Sequence, residues 1–164
     1  MSKVKQVIVL RTSFPDGKGG TFKPRLGKMA AQAAHASMKV LLDRGSVVRG
    51  GLASRDSACG TWFPEEGTRQ LPTPALVIPL EAPMVVWVEG TFTKVVLGVE
   101  TEEELLRVHE EAKARGLPTA LVTDVGATEF HGVATNTAVA IGPDLADLID
   151  AVTGRDGVVK CRLL

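Results

Sequence analysis

The sequence predicts an α/β fold, and three observations carry that expectation. Gln6-Val7-Ile8-Val9-Leu10 is an apolar, largely β-branched run that reads as a strand buried on both faces. A Gly- and Pro-rich loop at 13–25 separates it from an alanine-rich helix, which the pattern carries from about 27 to 44 before Gly45 stops it. Residues 93–99 form a second apolar strand, followed by Thr101-Glu102-Glu103-Glu104, a helix start with an N-cap threonine and a glutamate at the third helical position. Strand, loop and helix in that order build α/β sheets, whose ligands gather beyond the carboxyl ends of the strands, near helix N-termini.

The acidic helix runs to about Arg115 and ends at Gly116, and 117–123 is a third strand leading to Asp124-Val125-Gly126-Ala127-Thr128-Glu129-Phe130-His131-Gly132. A fourth strand at 137–141 arrives without room for a crossover helix, so it is expected antiparallel to its predecessor. Pro143 suits a helix N-terminus, with the last helix at about 144–152, and 158–164 closes a sheet edge. Residues 45–74 carry Gly50-Gly51, Gly60, Pro64, Gly67, Pro72 and Pro74 without a clear period. Beyond them, 75–79 and 84–88 read as two short strands. The expected organisation is one domain, 1–164, with an irregular insertion at about 45–90, long enough to bury a substantial core.

Composition narrows the function classes. Apolar residues make up 45% and charged residues 23%, the balance of a soluble globular chain rather than a membrane-spanning or disordered one. The first residues lead straight into a strand with no apolar signal segment, so a cytoplasmic protein is expected. Cys59 and Cys161 read as two unpaired thiols. The net charge of zero conceals an asymmetry: residues 1–49 hold ten Lys or Arg against Asp16 and Asp43. That basic segment includes Arg11, Lys18, Lys23 and Arg25, and such a patch suits a polyanionic partner.

The residues with the most chemistry sit in Gly27-Lys28-Met29-Ala30-Ala31-Gln32-Ala33-Ala34-His35-Ala36. On a helix, Lys28, Gln32 and His35 are spaced i, i+4 and i+7, which puts them on one face. The small residues between them suggest a helix buried on its other sides. A lysine in a first turn opposes the helix dipole, which favours a specific role for Lys28 over simple solvation. Asp124, just past a buried strand, lies where α/β folds open their clefts, with Thr128 close behind and Thr135 and Thr137 at the start of the next strand. The plain alternatives are a turn for Asp124, local capping for Gln32 and the threonines, and a packed imidazole for His35.

Other site patterns are absent. The Gly17–Gly20 run and Gly27-Lys28-Met29 lack the spacing of a phosphate loop, and no Gly-x-Gly-x-x-Gly follows the first strand. His35, His109 and His131 have no metal-ligand spacing, and His109 lies in an acidic helix. Neither a Gly-x-Ser-x-Gly elbow nor a Cys–His nucleophile pair is present.

Taken together, the ordered segments resemble the type 2 peptidyl-tRNA hydrolases. The matching pieces are Val7-Ile8-Val9-Leu10-Arg11-Thr12, the 27–36 helix, Lys94-Val95-Val96-Leu97, Gly116-Leu117-Pro118, Asp124-Val125-Gly126-Ala127-Thr128, Thr135-Asn136-Thr137 and Ile141-Gly142-Pro143. Leu148-Ile149-Asp150 and Val152-Thr153-Gly154 complete them. The resemblance implies a single three-layer α/β domain with a mixed, mostly parallel sheet and helices on both faces. It implies hydrolysis of the ester between a peptide and the 3′ end of tRNA, without metal or organic cofactor. Members are often dimeric, so a homodimer is among the assemblies implied. By motif position, Lys28, Asp124, Thr128 and Thr137 are implicated in catalysis, with Gln32 and His35 lining the site. Two departures stand out: extra residues at about 20–26 ahead of the helix, and a 45–90 segment longer than the family's usual connection.

An ester hydrolase needs an activated water and a stabilised oxyanion. Asp124 would orient or deprotonate the water, with Lys28 or the threonine hydroxyls facing the oxyanion; a neutral Lys28 acting as the base is the other assignment. Thr135 and the basic residues Arg11, Lys18, Lys23 and Arg25 are the expected substrate contacts, with tRNA as the partner. A non-catalytic RNA- or protein-binding module, or a small-molecule acyl-ester hydrolase, are the alternative functions.

Overall fold

The computed structural model describes residues 3–49 and 74–164. Their elements are β1 (Val4–Arg11), β2 (Phe14–Pro15), β3 (Thr21–Phe22), α1 (Leu26–Leu42), β4 (Ser46–Val48), β5 (Ala75–Val77), α2 (Ala82–Glu89), β6 (Lys94–Val99), α3 (Glu102–Ala114), β7 (Thr119–Asp124), β8 (Thr135–Leu145), α4 (Ala146–Thr153) and β9 (Arg162–Leu163). Five strands make the main sheet in the order β7-β8-β1-β6-β9, while β2–β3 and β4–β5 form separate two-stranded antiparallel sheets.

The α/β class and the mixed sheet are as expected, but the sheet is mostly antiparallel. Among the described residues only β1 and β6 pair in parallel; β1–β8, β6–β9 and β7–β8 are antiparallel. The reason is where β8 goes. β1, β6 and β7 all run the same way, yet β8 returns directly from β7 through 125–134 and inserts between β7 and β1, separating two strands that could have paired in parallel.

Alternation along β1 sets the two layers of core. Val7 and Val9 pack with Leu105, Val108 and Ala112 of α3 and Ile149 and Val152 of α4. Ile8 and Leu10 point the other way, onto Ala36 and Val40 of α1. The sheet is therefore covered on both faces, which is why β1 reads as an uninterrupted apolar run. The capping box of α3 forms as its sequence suggests: the Thr101 hydroxyl accepts from Glu104 N–H, and the Glu104 carboxylate accepts from Thr101 N–H.

Several local expectations are corrected. Residues 84–88 form helix α2, not a strand. Pro83 lies in its first turn, where a missing N–H costs nothing, and Met84 and Trp87, three apart, bury one face. The apolar run looked extended because the opposite positions, Val86 and Val88, are apolar too, although they are exposed. Pro143 belongs to β8, which extends to Leu145, and α4 starts only at Ala146. The 45–90 segment is not irregular throughout, since β4, β5 and α2 occupy its two ends; 50–73 lies outside the described residues. On α1, Ala30, Ala31 and Ala34 are not buried, so the small residues do not all serve burial.

One polar contact binds α1 to the central strand. Gln6 is fully buried, and its side chain accepts from Ser37 Oγ at 2.7 Å while donating to the Ser37 carbonyl at 3.2 Å. Ser37→Ala leaves the Gln6 oxygen unsatisfied in the core. That substitution is expected to lower the unfolding free energy by about 1–3 kcal/mol in a urea titration.

Candidate active site

The carboxyl ends of β1 and β7 and the start of β8 lie at the same end of the sheet, beside the first turns of α1. Asp124 closes β7 there, and its two carboxylate oxygens do different work. Oδ1 accepts the Gly126 N–H at 2.8 Å, which makes the tight turn out of the strand. Oδ2 faces the cleft and accepts Lys28 Nζ at 2.6 Å and Gln32 Nε2 at 2.7 Å. The turn and the cleft roles of Asp124, alternatives from sequence alone, thus coexist. Gly126 makes this feasible: its φ is +85°, and a Cβ there would meet Val133 O at 2.5 Å.

Lys28 reaches further, donating to Thr128 Oγ1 at 3.1 Å and lying 5.3 Å from the centre of the Phe130 ring. The Lys28 and Asp124 side chains are only 15% and 11% exposed, so little water screens the pair. Gln32 is locked from behind, because Thr137 Oγ1 donates to Gln32 Oε1 at 2.6 Å. This fixes the Gln32 amide with its NH2 toward Asp124. Thr137 itself is 2% exposed and sits beneath the cleft floor. The hydrogen bond from Lys28 holds the Asp124 carboxyl below its ordinary value of 3.8, with Gly126 N–H, the Lys28 charge and Gln32 adding to it and desolvation opposing.

The loop ahead of α1 is a built structure. β2 and β3 form a miniature hairpin whose tip is tied by Asp16 Oδ1, which accepts from Lys18 N–H and Gly20 N–H at 2.8 Å each. Phe14, Phe22 and Phe130 cluster with ring centres 4.8–6.1 Å apart, fastening the hairpin to the 125–134 loop. Arg25 Nε donates to Glu129 Oε1 at 2.7 Å, a second clasp between the same two loops.

Of the residues singled out from sequence, Lys28, Gln32, Asp124, Thr128 and Thr137 come together in one hydrogen-bonded group. His35 is exposed one turn further along α1 and lines a groove of about 460 Å³ with Gln32 and Asp124. Thr135 donates to the Val133 carbonyl and faces a second cavity of about 350 Å³ on the hairpin side, away from Lys28. Arg11 lines that cavity too, but its side chain is 10% exposed and engaged with Glu102 at 3.0 Å and the Phe14 ring at 4.6 Å. Lys18 and Lys23 stand exposed on the hairpin and the loop behind it, and Arg25 is exposed while paired to Glu129. Glu129 and the three phenylalanines were not foreseen as site residues. The signal available was Phe14 and Phe22 bracketing the glycine-rich tip, and an acid opposite a basic loop. Cys161 is no nucleophile: burial, with Glu104 adding, pushes its thiol up to about 11. Among the described residues, no group of three or more His, Cys, Asp or Glu side chains could hold a metal ion.

Residues 4–155 match the profile of the family described as Peptidyl-tRNA hydrolase PTH2. The chain belongs to that family. Proteins named peptidyl-tRNA hydrolase are similar over nearly its whole length. That of Methanopyrus kandleri is 37% identical over 150 residues, 92% of this chain and 93% of the relative. That of Pyrobaculum aerophilum is 32% identical over 151 residues, with the same coverage. That of Methanocaldococcus jannaschii is 31% identical over 153 residues, 92% of this chain and 96% of the relative. The matched span of this PTH2-family chain contains every residue of the Lys28–Asp124 group.

The ion pair has a pH signature. With its folded pKa depressed, Asp124 contributes stability that is fully present above the ordinary carboxylate range and lost as pH falls through the folded value. In Lys28→Met the largest cause of the depression is gone, so the Asp124 carboxyl, followed by NMR titration, is expected to titrate at higher pH than in wild type. An unchanged titration in that variant contradicts the pairing.

Proposed function

We infer that this chain hydrolyses the ester that joins a peptide to the 3′ end of tRNA, with Lys28 and Asp124 as its working pair. The observation that carries this reading is the Lys28–Asp124–Thr128 group at the mouth of the cleft, within the matched family span. Asp124 accepts a hydrogen bond from the attacking water, orients it on the carbonyl carbon and takes its proton as attack proceeds. As the tetrahedral intermediate collapses, the ester C–O bond breaks and that proton passes to the departing ribose oxygen, which releases the tRNA and the free peptide acid. A carboxylate held below its ordinary range is a weak base, so Asp124 acts chiefly by position. The 2.6 Å contact of Lys28 Nζ with that carboxylate supports the electrostatic role of Lys28 over the base assignment. Lys28 Nζ, with the exposed Thr128 hydroxyl beside it, faces the carbonyl oxygen as negative charge develops there. Gln32 and Thr137 touch Asp124 directly or through one hydrogen bond and act as positioning residues.

The tRNA partner is held by the basic 1–49 segment. Lys18 and Lys23, exposed on and beside a hairpin anchored next to Lys28, meet backbone phosphates. The reaction belongs in the cytoplasm, where translation supplies peptidyl-tRNA. A homodimer, as the family resemblance implies, is part of this proposal and is read by light scattering.

Measured on peptidyl-tRNA, Lys28→Ala and Asp124→Ala are expected to lower kcat/KM by roughly 100- to 10,000-fold. Full activity in both removes the site assignment, and retained tRNA binding without turnover in the wild type favours a non-catalytic module instead. For Lys18→Ala with Lys23→Ala, tRNA affinity is expected to fall and the log–log salt slope to shrink by about 1–2.

A further inference from the structure

The 460 Å³ groove beside the Lys28–Asp124 pair is separate from the hairpin cavity; the two share no lining residue. Its walls are one flank of α1, His35, Met38, Lys39, Leu42 and Asp43, and the end of β7 from Val122 to Asp124 with Val125 just beyond it. Met38, Leu42 and Val125 expose 52%, 41% and 77% of their surface, so its rim is largely apolar. The groove begins at Gln32 and Asp124 themselves and is continuous with the reacting centre.

β7 is also an end strand of the sheet, and among the described residues no strand pairs with its outer side. The hydrogen bonds to β8 set the phase of its ladder. Pro118 O accepts from Gly142 N–H, and Val122 O accepts from the Thr137 hydroxyl of β8. Ala120 and Val122 therefore turn their N–H and C=O groups to β8, and Thr119 and Leu121 turn theirs to the open side. A row of outward main-chain groups thus leads to Asp124.

We propose that this edge and groove hold the peptide moiety of the substrate, as an added strand running parallel to β7 with its ester carbonyl at Lys28 and Asp124. The inference rests on the peptidyl-tRNA reading above. Direction follows from connectivity: the peptide's carboxyl end is esterified and must lie at Asp124, which is also the carboxyl end of β7. The cationic hairpin lies on the other side of Lys28, so nucleic acid and peptide leave the ester in opposite directions. Main-chain pairing is the chemistry such a substrate demands, since released peptides share a backbone and no sequence. The apolar rim of Met38, Leu42 and Val125 accepts alternate side chains without selecting among them.

The test uses the wild-type protein and tRNAs esterified with N-acetyl-alanine or with N-acetyl-alanine peptides of two to four residues. kcat/KM is expected to rise with length to about three residues, which span roughly 10 Å of the edge. N-methylation of a peptide amide is expected to cost about two- to tenfold at alternate positions and little at those between, a period of two. Met38→Glu with Leu42→Glu, both exposed, lowers the ratio of long- to short-substrate kcat/KM toward one, and Leu121→Pro, which removes an outward N–H, does the same. Should Leu121→Pro not fold, the N-methyl series decides alone. Cleavage of every substrate with no dependence on length or N-methylation overturns the inference and leaves the enzymatic reading standing. No cleavage of any of them removes that reading, and the inference with it.

Discussion

The contact between Lys28 and Asp124 is the constraint on which the site depends. It joins residues 96 positions apart, the first turn of α1 and the last residue of β7. Neither charge would be stable there alone. A cation at a helix N-terminus opposes the dipole, and a mostly buried carboxylate loses hydration. Each supplies what the other lacks, and Gly126 N–H and Gln32 also donate to the carboxylate, which keeps an acceptor position for water. The buried Thr137 then fixes Gln32, so the network extends from solvent to the sheet with each member hydrogen-bonded to the next.

That network stands between two surfaces of different character. On one side, a hairpin tied by Asp16 and clamped by three phenylalanines holds lysines in solvent. Beneath it, Arg11 and Glu102 link the end of β1 to the start of α3, and Asn136 donates to the other oxygen of Glu102, so both loops rest on fixed sheet ends. On the other side, an apolar groove follows the open edge of β7. An ester between a nucleic acid and a peptide calls for such a division, with charge recognition on one flank and main-chain recognition on the other.

Much of the candidate site was legible because it is carried by short-range patterns. The i, i+4 spacing of Lys28 and Gln32 and the strand-end position of Asp124 survive any arrangement of the sheet that brings α1 over β7. The strand order did not survive in the same way. Antiparallel β8 was readable from the lack of a crossover, but its insertion between β7 and β1 depends on which strands compete for each edge. Helix α2 reads as a strand because its central residues, Met84 to Val88, are all apolar, and a buried face cannot be told from an exposed one when both are hydrophobic.

The sequence by itself determined the α/β class, the two-sided burial of β1, the capped start of α3, and a polar row on α1 with an aspartate to meet it. Each follows from local periodicity, capping chemistry or charge in a window of a few residues. The tertiary structure decided which donor each oxygen of Asp124 takes, that Thr137 supports the cleft from below while His35 stands in the groove, and that Phe14, Phe22 and Phe130 anchor the basic hairpin. These depend on side chains far apart in the chain meeting at hydrogen-bond distance, and only the packed sheet fixes such distances.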